Sequence, residues 1–232
     1  MLEEYLPNSE LKMLLSIPHS GTDISPYSNN LIGNHIEDID FYVHKLINKD
    51  VLLENGIGIL KSNISRAICD LNRKRSDSFF HWYKNTLGEN IYSSVPIEKD
   101  YKYWDEYYSK ILSYSNKNML LLDLHSMPSV TKRYHYLRNP FQSKYRPDIC
   151  ISDLSFSKKY GKAIKETFSE EFNTIKINNP YKGGNIIRSF HKHFKSAIQI
   201  EINRKLYMDE ENKELNNKID LTNLIISISN FE

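Results

Sequence analysis

Cysteine, tryptophan, glycine and proline are all scarce in this chain: two, two, eight and eight among 232 residues. Two cysteines cannot build the disulfide framework of a small secreted domain. Each lies in an apolar stretch, Ala67-Ile68-Cys69 and Ile149-Cys150-Ile151, where a free thiol acts as a small hydrophobe. The thin supply of glycine and proline leaves no Gly/Ser- or Pro-rich linker, and no repeat is visible, so residues 1–232 read as a single domain. No apolar run approaches the roughly 18 residues of a membrane span, and the start, Met-Leu-Glu-Glu, is acidic where a signal peptide is basic. The expectation is a cytoplasmic protein with no membrane partner. Neither sign of charge is in excess: 31 basic against 29 acidic side chains gives +2. Nucleic-acid binding through a clustered basic surface is therefore not expected. What remains is an ordinary globular composition, long enough to bury roughly 70% of its unfolded surface without a staple.

Strand-like and helix-like segments alternate along the chain. Leu14 to Pro18 reads as a buried strand running into the loop His19-Ser20-Gly21. Ile39, Val43, Leu46 and Ile47 recur at helical spacing and predict a helix from Asp38, its N-cap, to Leu46. Gly58 to Asn63 and Ile64 to Leu71 look extended but irregular, and Tyr101 to Tyr114 has helical periodicity. Met119 to His125 is a nearly continuous apolar run, as in a central strand covered on both faces. Asp148–Ser152, Thr174–Ile177 and Ala197–Ile202 are further strands. Ser157–Phe172 is an amphipathic helix, Leu221–Phe231 reads as the last helix, and Asp209–Lys218 opens a connection or another helix. The alternation predicts an α/β fold with a mostly parallel sheet, whose sites lie at the carboxyl ends of strands.

Several polar residues fall at such ends. His19 and His125 each follow a buried strand, and two converging imidazoles plus a carboxylate would make a metal site with a position left open; Asp38 and Asp40 are the candidates for the carboxylate. In Ala197–Asn203 the two-residue period puts Gln199, Glu201 and Asn203 on one face and three isoleucines on the other. Glu201 is then either a general base facing the pocket or part of the wet face of an edge strand. Arg66, Arg73 and Arg204 offer planar forks for a carboxylate or simple surface ion pairs. Tyr181-Lys182-Gly183-Gly184 allows a tight turn where backbone amides approach a ligand, or a plain loop. His191-Lys192-His193 is discounted as a solvated basic loop. Ser20 and Ser126 lie outside any nucleophile-elbow pattern. His135 and Arg138 read as lining a substrate loop or as polar surface.

Taken in order, the segments Pro18-His19-Ser20-Gly21-Thr22, Asp38-Ile39-Asp40, Ser65-Arg66 to Asp70-Leu71-Asn72-Arg73, Asp123-Leu124-His125-Ser126, Arg146-Pro147-Asp148, Asn179 to Gly184, and Gln199-Ile200-Glu201 through Met208 resemble the N-formylglutamate amidohydrolase (deformylase) family. That family is similar to the zinc carboxypeptidases and aspartoacylases. The resemblance implies a three-layer α/β/α sandwich around a mixed sheet and Zn²⁺ as cofactor. It implies His19 and His125 as metal ligands, Glu201 as the catalytic carboxylate, and Arg66, Asn72 and Arg73 on the substrate. Thr22 stands where the carboxypeptidase-like relatives carry a ligand glutamate, so the third ligand is expected from Asp38, with Asp40 as the alternative. The implied reaction is hydrolysis of N-formyl-L-glutamate to formate and L-glutamate, a step of histidine degradation. Arg66 would stabilise the oxyanion, Asn72 and Arg73 the α-carboxylate, and Arg204 or the Tyr181–Gly184 turn the side-chain carboxylate. Two rival readings are another N-acyl amino acid deacylase or carboxypeptidase-like peptidase, and an inactive homologue that binds acidic metabolites.

Overall fold

The computed structural model describes residues 2–25, 31–32, 35–77, 85, 87, 89–93, 101–132, 135–136, 140–155, 157–216 and 219–231. Seven strands form one mixed sheet: β1 (Leu2–Tyr5), β2 (Met13–Ile17), β3 (Ile57–Ser62), β4 (Leu120–Met127), β5 (Ile149–Ser152), β6 (Ile175–Ile177) and β7 (Ser196–Asn203). Their spatial order is β1-β3-β2-β4-β7-β5-β6. The central strands β3, β2, β4 and β7 run parallel, whereas β1 on β3 and β5 on β7 are antiparallel. The apolar run Leu120–Leu124 becomes β4, buried along its whole length, because a parallel central strand has protein on both faces.

The two-residue period sorts the core. Leu15, Ile17, Leu122, Leu124, Ile198, Ile200 and Ile202 belong to the cluster packed with helices α3 (Lys158–Phe168) and α5 (Thr222–Ser229). Leu14, Leu60, Leu121 and Ala197 belong to the cluster on the opposite face, with α2 (Lys102–Ser113) and α4 (Asn185–Phe190). These are the three layers that the family resemblance implies. On the α2/α4 face the apolar residues of β4 and β7 give way, toward the carboxyl ends, to Asp123 and His125 and to Gln199 and Glu201. Cross-strand register sets His125 opposite Glu201 and Asp123 opposite Gln199.

Some expectations are corrected. Asp38–Leu46 is not a helix: turns lead to one 3₁₀ turn at Val43–Lys45, and Tyr42 before it is left-handed at φ 62°. Its apolar residues Ile39, Val43 and Leu46 are buried all the same, so helical spacing recorded burial instead of a helix. Ile64–Leu71 is largely turns, with an isolated bridge from Ile64 to Asp23. Within Asp209–Lys218 the described residues form a small antiparallel ladder of β8 (Met208–Asp209) and β9 (Glu214–Leu215) instead of a helix. Helix α1 (Lys49–Glu54), capped by the Asn48 side chain accepting from Val51 N, was not anticipated, nor were β1 and α4.

Candidate metal centre and active pocket

The carboxyl ends of β2, β4 and β7 open onto one pocket of about 200 Å³. Its wall includes His19, Asp40, Arg66, Arg73, His125 and Glu201, gathered from segments far apart in the chain. The rings of His19 and His125 meet edge to face with centroids 4.7 Å apart. The carboxylate between them is Asp40: its Oδ2 lies 3.1 Å from His125 Nδ1 and 3.7 Å from His19 Nδ1. Asp38, the expected third member, lines the same pocket outside this group, and its carbonyl accepts from Arg66 Nη1 at 3.0 Å. The turn geometry decides between them, since Asp40 N donates to His19 O at 3.0 Å and so ties that residue to the first histidine.

Each imidazole presents Nδ1 to this centre and is gripped from behind through Nε2. His19 Nε2 donates to Asp70 Oδ1 at 2.7 Å, and His125 Nε2 donates to Asp123 Oδ2 at 2.9 Å. A carboxylate on the far nitrogen fixes tautomer and ring orientation and makes the near nitrogen a better ligand. Both aspartates are completely buried. Asp123 also accepts from Ser16 Oγ at 2.8 Å, and Asp70 from Arg66 Nη2 at 3.1 Å. Asp40 is held in the same way, its Oδ1 accepting from Ser126 Oγ and Arg204 Nη2, each at 3.2 Å.

Electrostatics separate the two rings. Burial, reinforced by the Arg66 charge, brings His19 down to about 4 and leaves it neutral. Burial also opposes charge on His125, but Asp123 and Asp40 on either side carry it well above the usual histidine range. The Asp40 carboxyl is depressed despite burial, because His125, His19 and Arg66 favour its charged form.

Glu201 faces this centre, not solvent. It is 8% exposed. Burial pushes its carboxyl up to about 7 against the opposing pull of His125. Gln199 Nε2 donates to Glu201 Oε1 at 2.6 Å. The amide oxygen of Gln199 accepts from Gly184 N at 2.7 Å and Asn72 Nδ2 at 3.3 Å, so one glutamine ties β7 to the segments carrying Asn72 and Gly184.

The expected substrate residues Asn72, Arg73, Tyr181, Gly183, Gly184 and Arg204 all line the pocket, but not with equal freedom. Arg204 is buried, and its nitrogens donate to Ser126 Oγ, Glu37 O and Asp40 Oδ1. The Gly184 amide donates to Gln199 Oε1. Arg73 is a third exposed, and among the described residues its side chain has one ionic contact, 3.5 Å from Nε to Asp70. His191 and His193 stay outside the pocket wall, whereas His135 joins it. Arg138 lies outside the described residues.

The adjacent glycines have separate reasons. Gly183 has φ +94°, where side chains are strained. A Cβ on Gly184 would stand 2.1 Å from Asn72 Nδ2. Gly184→Ala is therefore expected to destabilise by about 1–3 kcal/mol and to lower activity, because Asn72 must shift. Urea unfolding with and without Asn72→Ala checks this, since the double variant should recover most of the stability if the clash is the cause.

Among the described residues, no helix is long and apolar enough to cross a membrane. The family profile described as N-formylglutamate amidohydrolase matches residues 11–208. No curated protein matches the chain. Among solved structures, N-formylglutamate amidohydrolase from Ralstonia eutropha JMP134 is similar with TM-score 0.76 and 22% identity, over 98% of this chain and 96% of that one. A gene product of Agrobacterium tumefaciens follows with TM-score 0.64 and 15% identity, over 91% and 88%. At such identities the structural likeness establishes the fold, and the profile, spanning most of the sequence, establishes the kinship. The chain belongs to the N-formylglutamate amidohydrolase family and is a hydrolase of an amide bond.

Proposed function

We propose that the chain is a zinc-dependent enzyme converting N-formyl-L-glutamate and water to formate and L-glutamate. One observation carries the reading: ligand atoms of His19, Asp40 and His125 lie within 4.8 Å of one another at the base of an arginine-walled pocket. The donors suit a divalent ion. His19 Nδ1 is buried and has no hydrogen-bond partner among the described residues, yet it points at a carboxylate and a second imidazole. Two imidazole nitrogens and one carboxylate oxygen are the ligand set of a catalytic zinc with an open position. Asp40 takes the place expected for Asp38, and Arg204, Ser126, Asp70 and Asp123 hold the three ligands in place. When bound, the ion supplies Lewis acidity, polarising the formyl carbonyl and acidifying a water.

The chain's own residues do the rest. Glu201 accepts a proton as the water oxygen bonds to the formyl carbon. It then delivers that proton to the amine nitrogen as the C–N bond breaks, releasing formate and glutamate. Arg66, fixed by Asp38 O and Asp70, stabilises the developing oxyanion. Arg73, the pocket arginine least engaged by protein, holds the α-carboxylate beside Asn72. The two buried free thiols, Cys69 and Cys150, suit the reducing cytoplasm as its location.

The test is a coupled assay for formate with the metal-loaded protein. Formate and glutamate should appear one for one from N-formyl-L-glutamate. Release of C-terminal residues from peptides with no formate would overturn the substrate assignment. Arg73→Lys should lower kcat/KM by roughly 10- to 100-fold despite its retained charge, because an ammonium cannot form the two parallel bonds of a guanidinium.

A further inference from the structure

Arg146 is used by nothing described so far. It sits just before β5, and because β5 runs antiparallel to β7, with Ile149 opposite Ile202, this segment lies at the sheet end that carries His125 and Glu201. Its backbone is pinned there: N donates to Ser129 O at 2.9 Å, and O accepts from Asn203 Nδ2 at 3.2 Å. The side chain is 5% exposed. Its Nε and Nη2 are buried with no hydrogen-bond partner among the described residues. The guanidinium instead lies against the ring of Tyr181, with Cζ 5.1 Å from the centroid. A ring face replaces only part of the hydration lost by a buried cation, so a permanently charged group held this way has no anion among the described residues.

Space and position say where that anion belongs. Arg146 lines a cavity of about 270 Å³ together with Pro147, Thr174, Lys176, Asn179 and Pro180. Tyr181, the next residue after Pro180, lines the active pocket. The ring that Arg146 lies against is thus itself part of the active-pocket wall, so the guanidinium and that pocket share Tyr181. Three other arginines among the described residues are engaged: Arg66 holds Asp38 O and Asp70, Arg204 holds Asp40, and Arg188 donates to Gly183 O and Lys182 O. Arg73 can serve one carboxylate, and an acidic N-acyl amino acid has two.

We propose that Arg146 is a carboxylate-binding residue, and that its occupant during turnover is the substrate's second carboxylate, the one Arg73 does not hold. This rests on the function proposed above for the identity of the substrate, but not for the existence of the anion site. The planar guanidinium fork matches a carboxylate with two parallel bonds, and the Tyr181 ring packs beside it.

The experiment compares wild type, Arg146→Met and Arg146→Lys on N-formyl-L-glutamate and on its near-isosteric neutral analogue N-formyl-L-glutamine. Thermal unfolding with glutarate or butyrate is measured alongside. Wild type should prefer the glutamate substrate by roughly 100-fold in kcat/KM. Arg146→Met should erase that preference by lowering the glutamate arm while the glutamine arm stays within a few-fold. Glutarate should raise the Tm of wild type more than butyrate does, and the difference should vanish in the variant. An intact preference with Arg146-dependent glutarate stabilisation upholds the carboxylate site and moves its occupant from substrate to a separate dicarboxylate. Equal losses on both substrates, or glutarate stabilisation that does not depend on Arg146, overturns the proposal. If wild type cleaves neither substrate, the proposed function fails, and the glutarate comparison still decides the site. Should Arg146→Met not fold, Arg146→Lys carries the same comparison with the fork removed and the charge kept.

Discussion

His125→Ala should take the metal content from about one ion per chain to near zero and reduce amide hydrolysis by more than about 1,000-fold, since the Lewis-acid contribution to such a barrier is several kcal/mol. The reasoning is geometric. Removing this ring deletes one of the three proposed ligand atoms and also leaves Asp40 Oδ2 and Asp123 Oδ2 without the imidazole that bridges them. A site of one imidazole and one carboxylate is a poor cage for a divalent ion, and added metal should restore little. Elemental analysis of the purified variant and titration against a chelator measure the loss directly. A companion pair separates the two aspartates: Asp40→Asn should lose metal, whereas Asp38→Asn should keep it. Full metal content in His125→Ala, or loss confined to Asp38→Asn, would remove the basis for the centre described above.

How much of this was legible in the sequence depends on whether the signal was local. The run Met119–His125 reads as a central strand because burial on both faces leaves little polar alternation, whereas the alternation of Ala197–Asn203 puts Gln199, Glu201 and Asn203 on one face without deciding whether that face meets the pocket or water. His19 and His125 were found because strand ends are where α/β sheets place chemistry. The aspartate behind His125 was within reach of the same argument, since Asp123 and His125 are two apart on one strand and must share a face. The aspartate behind His19 was not: Asp70 is 51 positions away in sequence and meets His19 only through tertiary packing. That Asp40 and not Asp38 groups with the two histidines was hidden for a related reason. Reading Asp38–Leu46 as a helix gave Asp38 the role of its cap, whereas the segment is a chain of turns whose register is set by Asp40 N bonding to His19 O. Arg204 looked like a substrate reader because an arginine after a strand can grip an anion; that it grips Asp40 follows only from the packed positions of Ser126 and Glu37.

Glu201→Gln tests whether the strand carboxylate does chemistry or merely completes the pocket. Glutamine keeps the length and shape of the side chain, and its amide can still meet Gln199 at the place where Glu201 Oε1 now accepts at 2.6 Å. The fold should survive, because replacing a buried carboxylate with a neutral isostere also removes its desolvation penalty. Metal content should stay near that of wild type, since Glu201 is outside the His19–Asp40–His125 group. What the amide cannot do is accept a proton from water and return it to the leaving nitrogen, so kcat should fall by about 100- to 10,000-fold with KM little changed. That split identifies an interaction made in the transition state instead of uniform binding. An unchanged kcat would transfer the base to another group, and Tyr181 or His135, which line the same pocket, would become the next residues to replace. Equal failure of metal binding and turnover would instead make Glu201 a structural partner of His125, its neighbour across the β4–β7 ladder.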